Sequence, residues 1–487
     1  MRNKTDVLQW KFSFERGARP GHQLAAHIEK LILSGELCAG TSLPSQKELA
    51  RLNNINANTV RNVYDRLFSK GLLYAVSGSG TYVSANLNVP GGSFPQSGFS
   101  DEVPLQLPDN AALKPVSPLL EQDFLSVGLD TLNPVYYPDA VLNRYRRKHR
   151  DRYSRYSQLD HLRDLHSDAY AEMARVYFNQ NYQMQLNPGT LTIVYGRDKC
   201  LDDVLSSLLF PGATFVNTCR HDPLLAEVLR RRGICPFYLE TSSPDFLARL
   251  EALATTTSLR AIYLRPQCNY PDGAALDAGL CAQILELAIR FGFYIIEEDK
   301  YHEFWWGNRK PAHLAKLMHH GHVVYLAPLS QLSVYMRNTR IVCAVSPLIE
   351  RLNQLKPFQH EFRDLIEELA VMDMMQNGDL RNAVRTARKS LEDNLYQLVY
   401  LLDSRFGDNI KIAPVNAGFA LWLEFKDHRL LASALEDIVS SGQQIPFSNP
   451  GQPSVQTRFM RLGFGTFSFR EADSASIAMQ KRVINGV

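Results

Sequence analysis

Leu43-Pro44-Ser45-Gln46-Lys47-Glu48-Leu49-Ala50 is the stretch from which the first part of the chain can be read. Ser45 with Glu48 three residues later is a capping box, so a helix starts here. Asn53-Asn54 supplies turn chemistry almost at once and keeps that helix short. Upstream, Leu24, Ile28, Leu31 and Ile32 recur at helical spacing between His22 and Ser34, and Gly35 stands where that helix would end. Downstream, Asn56 fits as the cap of a third helix that carries Val60, Val63, Tyr64 and Leu67 and stops near Gly71. Two short helices around a tight turn, the second opening with polar residues, make a helix-turn-helix. Leu72 to Val76, then Ser77-Gly78-Ser79-Gly80, then Thr81-Tyr82-Val83 read as a two-stranded wing with a glycine-rich tip.

Charge agrees with that reading. The chain has 487 residues and a formal net charge of +3. Residues 1–90 hold 11 Lys/Arg against 6 Asp/Glu, which leaves 42 against 44 for the remainder. The basic excess sits where phosphates would be met. A hydrophobic content of 45% with 21% charged residues is that of a soluble globular protein, and the length calls for more than one domain. No apolar run reaches the roughly 18 residues that span a bilayer, and Met1 to Phe14 lacks a signal peptide's apolar segment. A cytoplasmic protein without membrane partners is expected. Seven cysteines without CxxC spacing read as buried free thiols, with no disulfide framework and no metal site.

From Ser84 to about Glu121 the composition changes. Pro90-Gly91-Gly92-Ser93, Pro95, Pro104, Pro108 and Pro115 recur with few periodic apolar positions, the mark of an extended linker. The expected division is residues 1–84 as head, 85–121 as linker and 122–487 as body. In the body, Leu191 to Val194, Ala261 to Leu264, Gly292 to Glu297 and Val323 to Leu326 read as buried strands. Leu201 to Phe210, Ala278 to Phe291 and Asp379 to Phe406 read as helices. Their alternation predicts an α/β domain around a largely parallel sheet. Arg144 to Tyr156 is the densest basic run and reads as a solvated helix face, with a nucleic-acid patch as the alternative.

Across residues 20–84 the head resembles the GntR-type winged helix. The residues that carry this are Ser34-Gly35-Glu36-Leu37, Gly40, LPSQKELA, Asn58-Thr59-Val60-Arg61 and GSGTYV. The resemblance implies that Ser45, Lys47, Asn58, Thr59, Arg61 and Gly80 lie at a DNA surface. Lys47 and Ala57 stand where the family often has arginine. Lysine cannot make the planar bidentate contact to guanine, so a different or less strict site is expected, with Arg61 the leading contact.

Residues 122–485 resemble the fold-type-I aminotransferase domain, and with the head the whole resembles the MocR-like subfamily of regulators. The matching stretches are Pro266 to Gly273 (PQCNYPDG), Ile295 to Phe304 (IIEEDKYHEF), Arg340-Ile341 and Arg461 to Phe464 (RLGF). Such a domain uses pyridoxal phosphate. An amine forms the Schiff base, a carboxylate keeps the pyridine nitrogen protonated, and an arginine holds the substrate carboxylate. The resemblance puts Glu298 at the pyridine partner, Asn269 and Tyr301 near the ring hydroxyl and Arg461 at the substrate carboxylate. Arg340 falls one position beyond the phosphate arginine, and Gly196 lies in the phosphate cup.

The departures carry the functional reading. In Val323 to Gln331 (VVYLAPLSQ), Gln331 stands at the cofactor lysine, and an amide nitrogen is not nucleophilic. Arg197 replaces the small residue after Gly196 and crowds the cup. In Cys219 to Pro223 (CRHDP) the stacking tyrosine is gone, with only His221 as a substitute. Lys300 could serve as another amine, but its place beside Glu298 predicts an ion pair instead. Three functions stay open. The first is a DNA-binding regulator whose body dimerises and senses a small amino-acid- or carboxylate-like ligand without covalent chemistry. The second is a transaminase that uses Lys300 or another lysine. The third is a regulator that holds pyridoxal phosphate noncovalently.

Overall fold

A computed structural model describes residues 10–14, 19–38, 40–76, 80–84, 124–127, 131–153, 168–219, 222–307, 310–355, 363–429, 431 and 457–466. The chain divides into two compact units, Met1–Asp109 and Asn110–Val487. The stretch read as a linker and the pair Arg220-His221 lie outside the described residues.

In the first unit, α1 (Pro20–Leu33), β1 (Ser42–Leu43), α2 (Gln46–Asn53), α3 (Ala57–Ser69), β2 (Leu73–Val76) and β3 (Gly80–Val83) follow the expected order. The Ser45 side chain accepts the Glu48 amide at 3.2 Å, and Asn56 accepts that of Asn58 at 2.8 Å. Between the two helices Asn54 takes the left-handed conformation (φ 50°), which an Asn tolerates better than most residues. Leu24, Ile28, Leu49, Val60 and Leu67 close the core, all essentially inaccessible to water. The wing has one strand more than the sequence suggested: β1 pairs antiparallel with β3, which also pairs with β2. A run of two residues carries too little periodicity to be read in advance.

In the second unit the chain runs through β4 (Phe124–Val127), α4 (Asp139–Tyr153), α5 (Ala169–Tyr182), β5 (Leu191–Tyr195), α6 (Arg197–Leu208), β6 (Thr214–Asn217), α7 (Pro223–Arg231) and β7 (Phe237–Tyr238). It continues with β8 (Leu259–Leu264), α8 (Ala278–Phe291), β9 (Tyr294–Glu298), β10 (Val323–Pro328), α9 (Val334–Asn338) and β11 (Thr339–Cys343). Last come α10 (Leu365–Gln376), α11 (Asp379–Phe406), β12 (Ile410–Ile412), β13 (Ala420–Phe425) and β14 (Phe459–Gly463).

The central sheet has seven strands in the order β5-β11-β10-β9-β8-β6-β7, and only β11 runs against its neighbours. Every residue of β10 is buried, as a strand covered by helices on both faces requires. A second sheet, β12-β13-β14-β4, receives β4 as a strand parallel to β14. The helix α11 has 28 residues, about 42 Å at 1.5 Å per residue. Its buried positions, among them Leu380, Val384, Leu391, Leu395 and Leu402, belong to one core with Leu421 and Leu423 of the second sheet.

The basic run falls on α4. Arg146 holds Glu367 of α10 through two bonds of 2.5 and 2.7 Å, and Lys148 and His149 meet Asp373 at 2.7 and 2.8 Å. These side chains pack one helix against another, so this part of the run is a helix–helix contact and not the solvated face expected. All seven cysteines are free, but Cys38 and Cys235 are exposed, against the expectation of burial. Among the described residues no helix is long and apolar enough to cross a membrane.

Leu49→Ala should cost the head about 2–5 kcal/mol through the cavity it leaves. Faster amide exchange across residues 20–83, with exchange in the central sheet unchanged, is the expected result.

Candidate functional site

In the head, Ser45, Lys47, Asn58, Arg61 and Gly80 are exposed. Ser45 is occupied as the cap of α2, and Lys47 stands on its first turn. Asn58 and Arg61 project from the first turns of α3, the part of a recognition helix that meets base edges. Thr59 is half-buried, and its methyl carbon lies 2.8 Å from where a Cβ on Gly21 would sit, so it also packs against α1. The Tyr64 hydroxyl donates to the Pro44 carbonyl at 2.6 Å and ties α3 to the turn before α2.

In the body, strand ends converge. The parallel strands β5, β8, β9 and β10 end at Tyr195, Leu264, Glu298 and Pro328, and the reversed β11 begins beside them at Thr339. Open α/β sheets place their sites at this edge. Glu298, 1% exposed, is the centre. Arg197 grips it with Nε on Oε1 at 2.6 Å and Nη2 on Oε2 at 2.7 Å. Arg340 adds Nη2 on Oε1 at 2.7 Å, and Arg265 Nη2 lies 3.2 Å from Oε2. The Tyr263 hydroxyl also donates to Oε2.

A second carboxylate completes the cluster. Asp222 caps α7, accepting the amides of Leu224 and Leu225 at 3.1 and 3.0 Å. The same group holds Arg197 at 2.6 and 3.1 Å and also binds Arg265. Burial alone would push both acids up. The charges of Arg197 and Arg265 outweigh it, so Asp222 falls to about 2 and Glu298 stays well below the carboxylate range. Three guanidiniums against two carboxylates leave one positive charge over, and Arg340 Nε has no partner.

Gly196 (φ 87°) turns β5 into α6 and donates its amide to Asn338 at 2.9 Å. Asn269 is half-buried and accepts the Cys219 thiol at 3.3 Å. The Tyr301 ring is buried with its edge on Phe419, 5.3 Å between centroids. Gln331, 1% exposed, donates its side-chain amide to the Lys300 carbonyl at 2.8 Å. Its backbone amide binds Glu303 at 2.8 Å, and its Oε1 is without a hydrogen bond. Arg461 donates Nε to the Pro271 carbonyl at 3.1 Å and lies over the Tyr270 ring, 5.2 Å from its centre.

Sequence reasoning needs correction at Lys300. Its ammonium lies over the Tyr301 ring, 5.1 Å from the centroid, and the carboxylate expected to pair with it is taken up by three arginines. Guanidinium forks from neighbouring strand ends match a carboxylate better than one flexible amine. Tyr263, Arg265 and Asp222 were missed. Asp222-Pro223 was a readable helix start, but nothing in sequence shows that the cap would also bind Arg197.

Residues 137–464 match the family described as aminotransferase class I and II, which covers more than half of the chain. The chain belongs to that family. Residues 20–83 match bacterial regulatory proteins of the gntR family, and the pair of domains is that of the MocR-like subfamily. The HTH-type transcriptional regulator YisV of Bacillus subtilis is 22% identical over 86% of this chain and 87% of its own length. A protein of Rhizobium meliloti named "probable rhizopine catabolism regulatory protein MocR" is 23% identical over 88% and 85%. Among solved structures, LysN, the α-aminoadipate aminotransferase of Thermus thermophilus complexed with N-(5'-phosphopyridoxyl)-L-leucine, superposes with a TM-score of 0.58. It is 17% identical, over 75% of this chain and 93% of its own. The kynurenine aminotransferase of Pyrococcus horikoshii gives 0.60 at 15% identity, over 75% and 92%. At these identities the structures show the fold alone.

The family implies pyridoxal phosphate, and the residues of this member do not fit it. Glu298, the acid expected at a pyridine nitrogen, already holds three guanidiniums, and Gln331, expected at the lysine position, is an amide bonded to the Lys300 carbonyl. Arg197 reaches from the phosphate cup onto the same acid.

Arg197→Met should destabilise the body by about 3–5 kcal/mol, the cost of breaking a buried pair from one side. Urea unfolding checks this, and adding Glu298→Gln should return part of the loss.

Proposed function

We propose that this aminotransferase-family chain is a DNA-binding transcription regulator of the GntR and MocR type, with a body that dimerises and senses a small ligand without pyridoxal phosphate chemistry. The observation that carries it is the Arg197–Glu298 pair, which spends the carboxylate a coenzyme ring would need. Gln331 supports it from the other side, since an amide forms no imine. Retained Arg461 and Asn269 keep hydrogen-bonding groups at the old substrate end, with Arg461 already engaged by the Pro271 carbonyl. The two alternatives, a transaminase using Lys300 and a regulator holding the coenzyme noncovalently, both need Glu298 released.

In this reading a dimer sets two heads on half-sites about 34–36 Å apart, or at multiples of that spacing. A ligand can shift head placement only by its differential affinity for the two arrangements. DNA affinity then falls steeply with salt, because Lys47 and Arg61 displace counterions from phosphates.

Two outcomes are expected. Arg61→Ala weakens operator binding by about 1–3 kcal/mol in a gel-shift titration at moderate salt, and unchanged affinity removes Arg61 from the interface. Pyridoxal phosphate added to the purified chain produces no aldimine absorption band. Borohydride then leaves no lysine with an added coenzyme mass; a labelled Lys300 would make the body an enzyme candidate again.

A further inference from the structure

A cavity of about 210 Å³ lies apart from the Glu298 cluster, between α5, the segment after β9 and the first turns of α11. By volume it holds about seven waters at about 30 Å³ each, the size of a small organic molecule. Its walls are flat and mostly apolar: Tyr177, Tyr182, Trp305, Tyr325, Met184 and Val384.

Its charge is one-sided. Arg381, Arg385 and Arg388 recur at four- and three-residue spacing on one face of α11, Lys310 and Lys316 add two more cations, and Asn181 and His313 also line it. Among the described residues none of the five forms an ion pair. Two of them rest on aromatic faces, with Arg388 and Lys310 at 4.4 and 5.5 Å from the Trp305 ring centre. The one carboxylate among the lining residues is Glu303, which accepts the Ser330 hydroxyl at 2.9 Å and the Gln331 amide at 2.8 Å. Burial pushes it up to about 7. The buried guanidiniums of this unit, Arg265 and Arg340, are each met by a carboxylate. Of the five cations at the cavity, Lys316 feels the buried Asp299 and Glu297, which leaves Arg381, Arg385, Arg388 and Lys310 to receive an anion.

The lining also offers polar groups without a full set of bonds. His302 is 6% exposed, its ring packs on Phe178 and Tyr182, and its nitrogens reach only the backbone at Leu329 and Asp299, with no hydrogen bond of normal length and angle. Buried polar atoms of this kind are rare and call for a partner.

We infer that this cavity binds a small aromatic carboxylate, its ring between the tyrosines and Trp305, its carboxylate on the arginines of α11 and a ring hydroxyl toward His302. The inference rests on the reading of the body as a ligand sensor and moves the sensing site away from the inherited coenzyme seat.

The test is calorimetric titration of the full-length chain with 4-hydroxyphenylacetate, phenylacetate and the neutral 4-hydroxyphenylacetamide. The hydroxylated acid should bind most tightly and the amide at least about tenfold more weakly, the weight of one charge-assisted hydrogen bond. Arg381 and Arg385 are both exposed, so R381A/R385A should fold normally and lose about tenfold or more in affinity for the acid. Equal binding of acid and amide, unaltered binding by the variant, or no saturable heat with either acid overturns the inference.

Duplex DNA binding by the same variant is measured in parallel and should be unchanged. Its loss assigns these arginines to DNA and also overturns the inference. If the acid binds as expected yet never alters DNA affinity, the site stands and the sensor reading of the body falls.

Discussion

A carboxylate sealed at the end of a central sheet must find positive charge, and the rest of this body follows from where Glu298 finds it. Three guanidiniums arrive from three places: Arg197 from the first turn of α6, Arg265 from just past β8 and Arg340 from the start of β11. Each tethers a different strand end, so one acid fixes the mutual placement of the edge. Asp222 extends the hold to α7 because its oxygens serve a helix cap and two arginines at once. Such a network is strong evidence for a specific geometry and weak evidence for net stability, because desolvating five charges consumes much of what their attraction returns.

The head was legible almost residue by residue, for a local reason. Caps, a left-handed turn residue and helical periodicity are all written within a few positions of where they act, as Ser45, Asn54 and Asn56 show. The strand β1 was not, since two residues pair only because β3 happens to pass beside them. In the body, buried runs such as Val323 to Leu326 announced strands correctly.

The partners of Glu298 could not be read from the chain. Arg197 lies 101 positions from it and Arg340 lies 42 away, and no periodicity links such residues. Lys300 is the instructive miss. Nearness in sequence suggested an ion pair, but the strand ends at Glu298 and the chain turns before Lys300, so strand periodicity no longer places that side chain, and more distant arginines had the better approach. In the same way Arg197 was seen as an obstruction in the phosphate cup, while its attachment to Glu298 depended on how α6 docks on the sheet.

On the proposed reading, the clamp also bears on what putting an amine at position 331 would achieve. A lysine there would leave Glu298 still bound to arginine. Replacing Arg197 first would uncover a buried acid and weaken the fold. Neither step is useful alone, and the two effects are far from additive because the residues share one network. On the proposed reading, a body without coenzyme chemistry is held in that state by its own electrostatics, like a ratchet whose tooth is a single guanidinium.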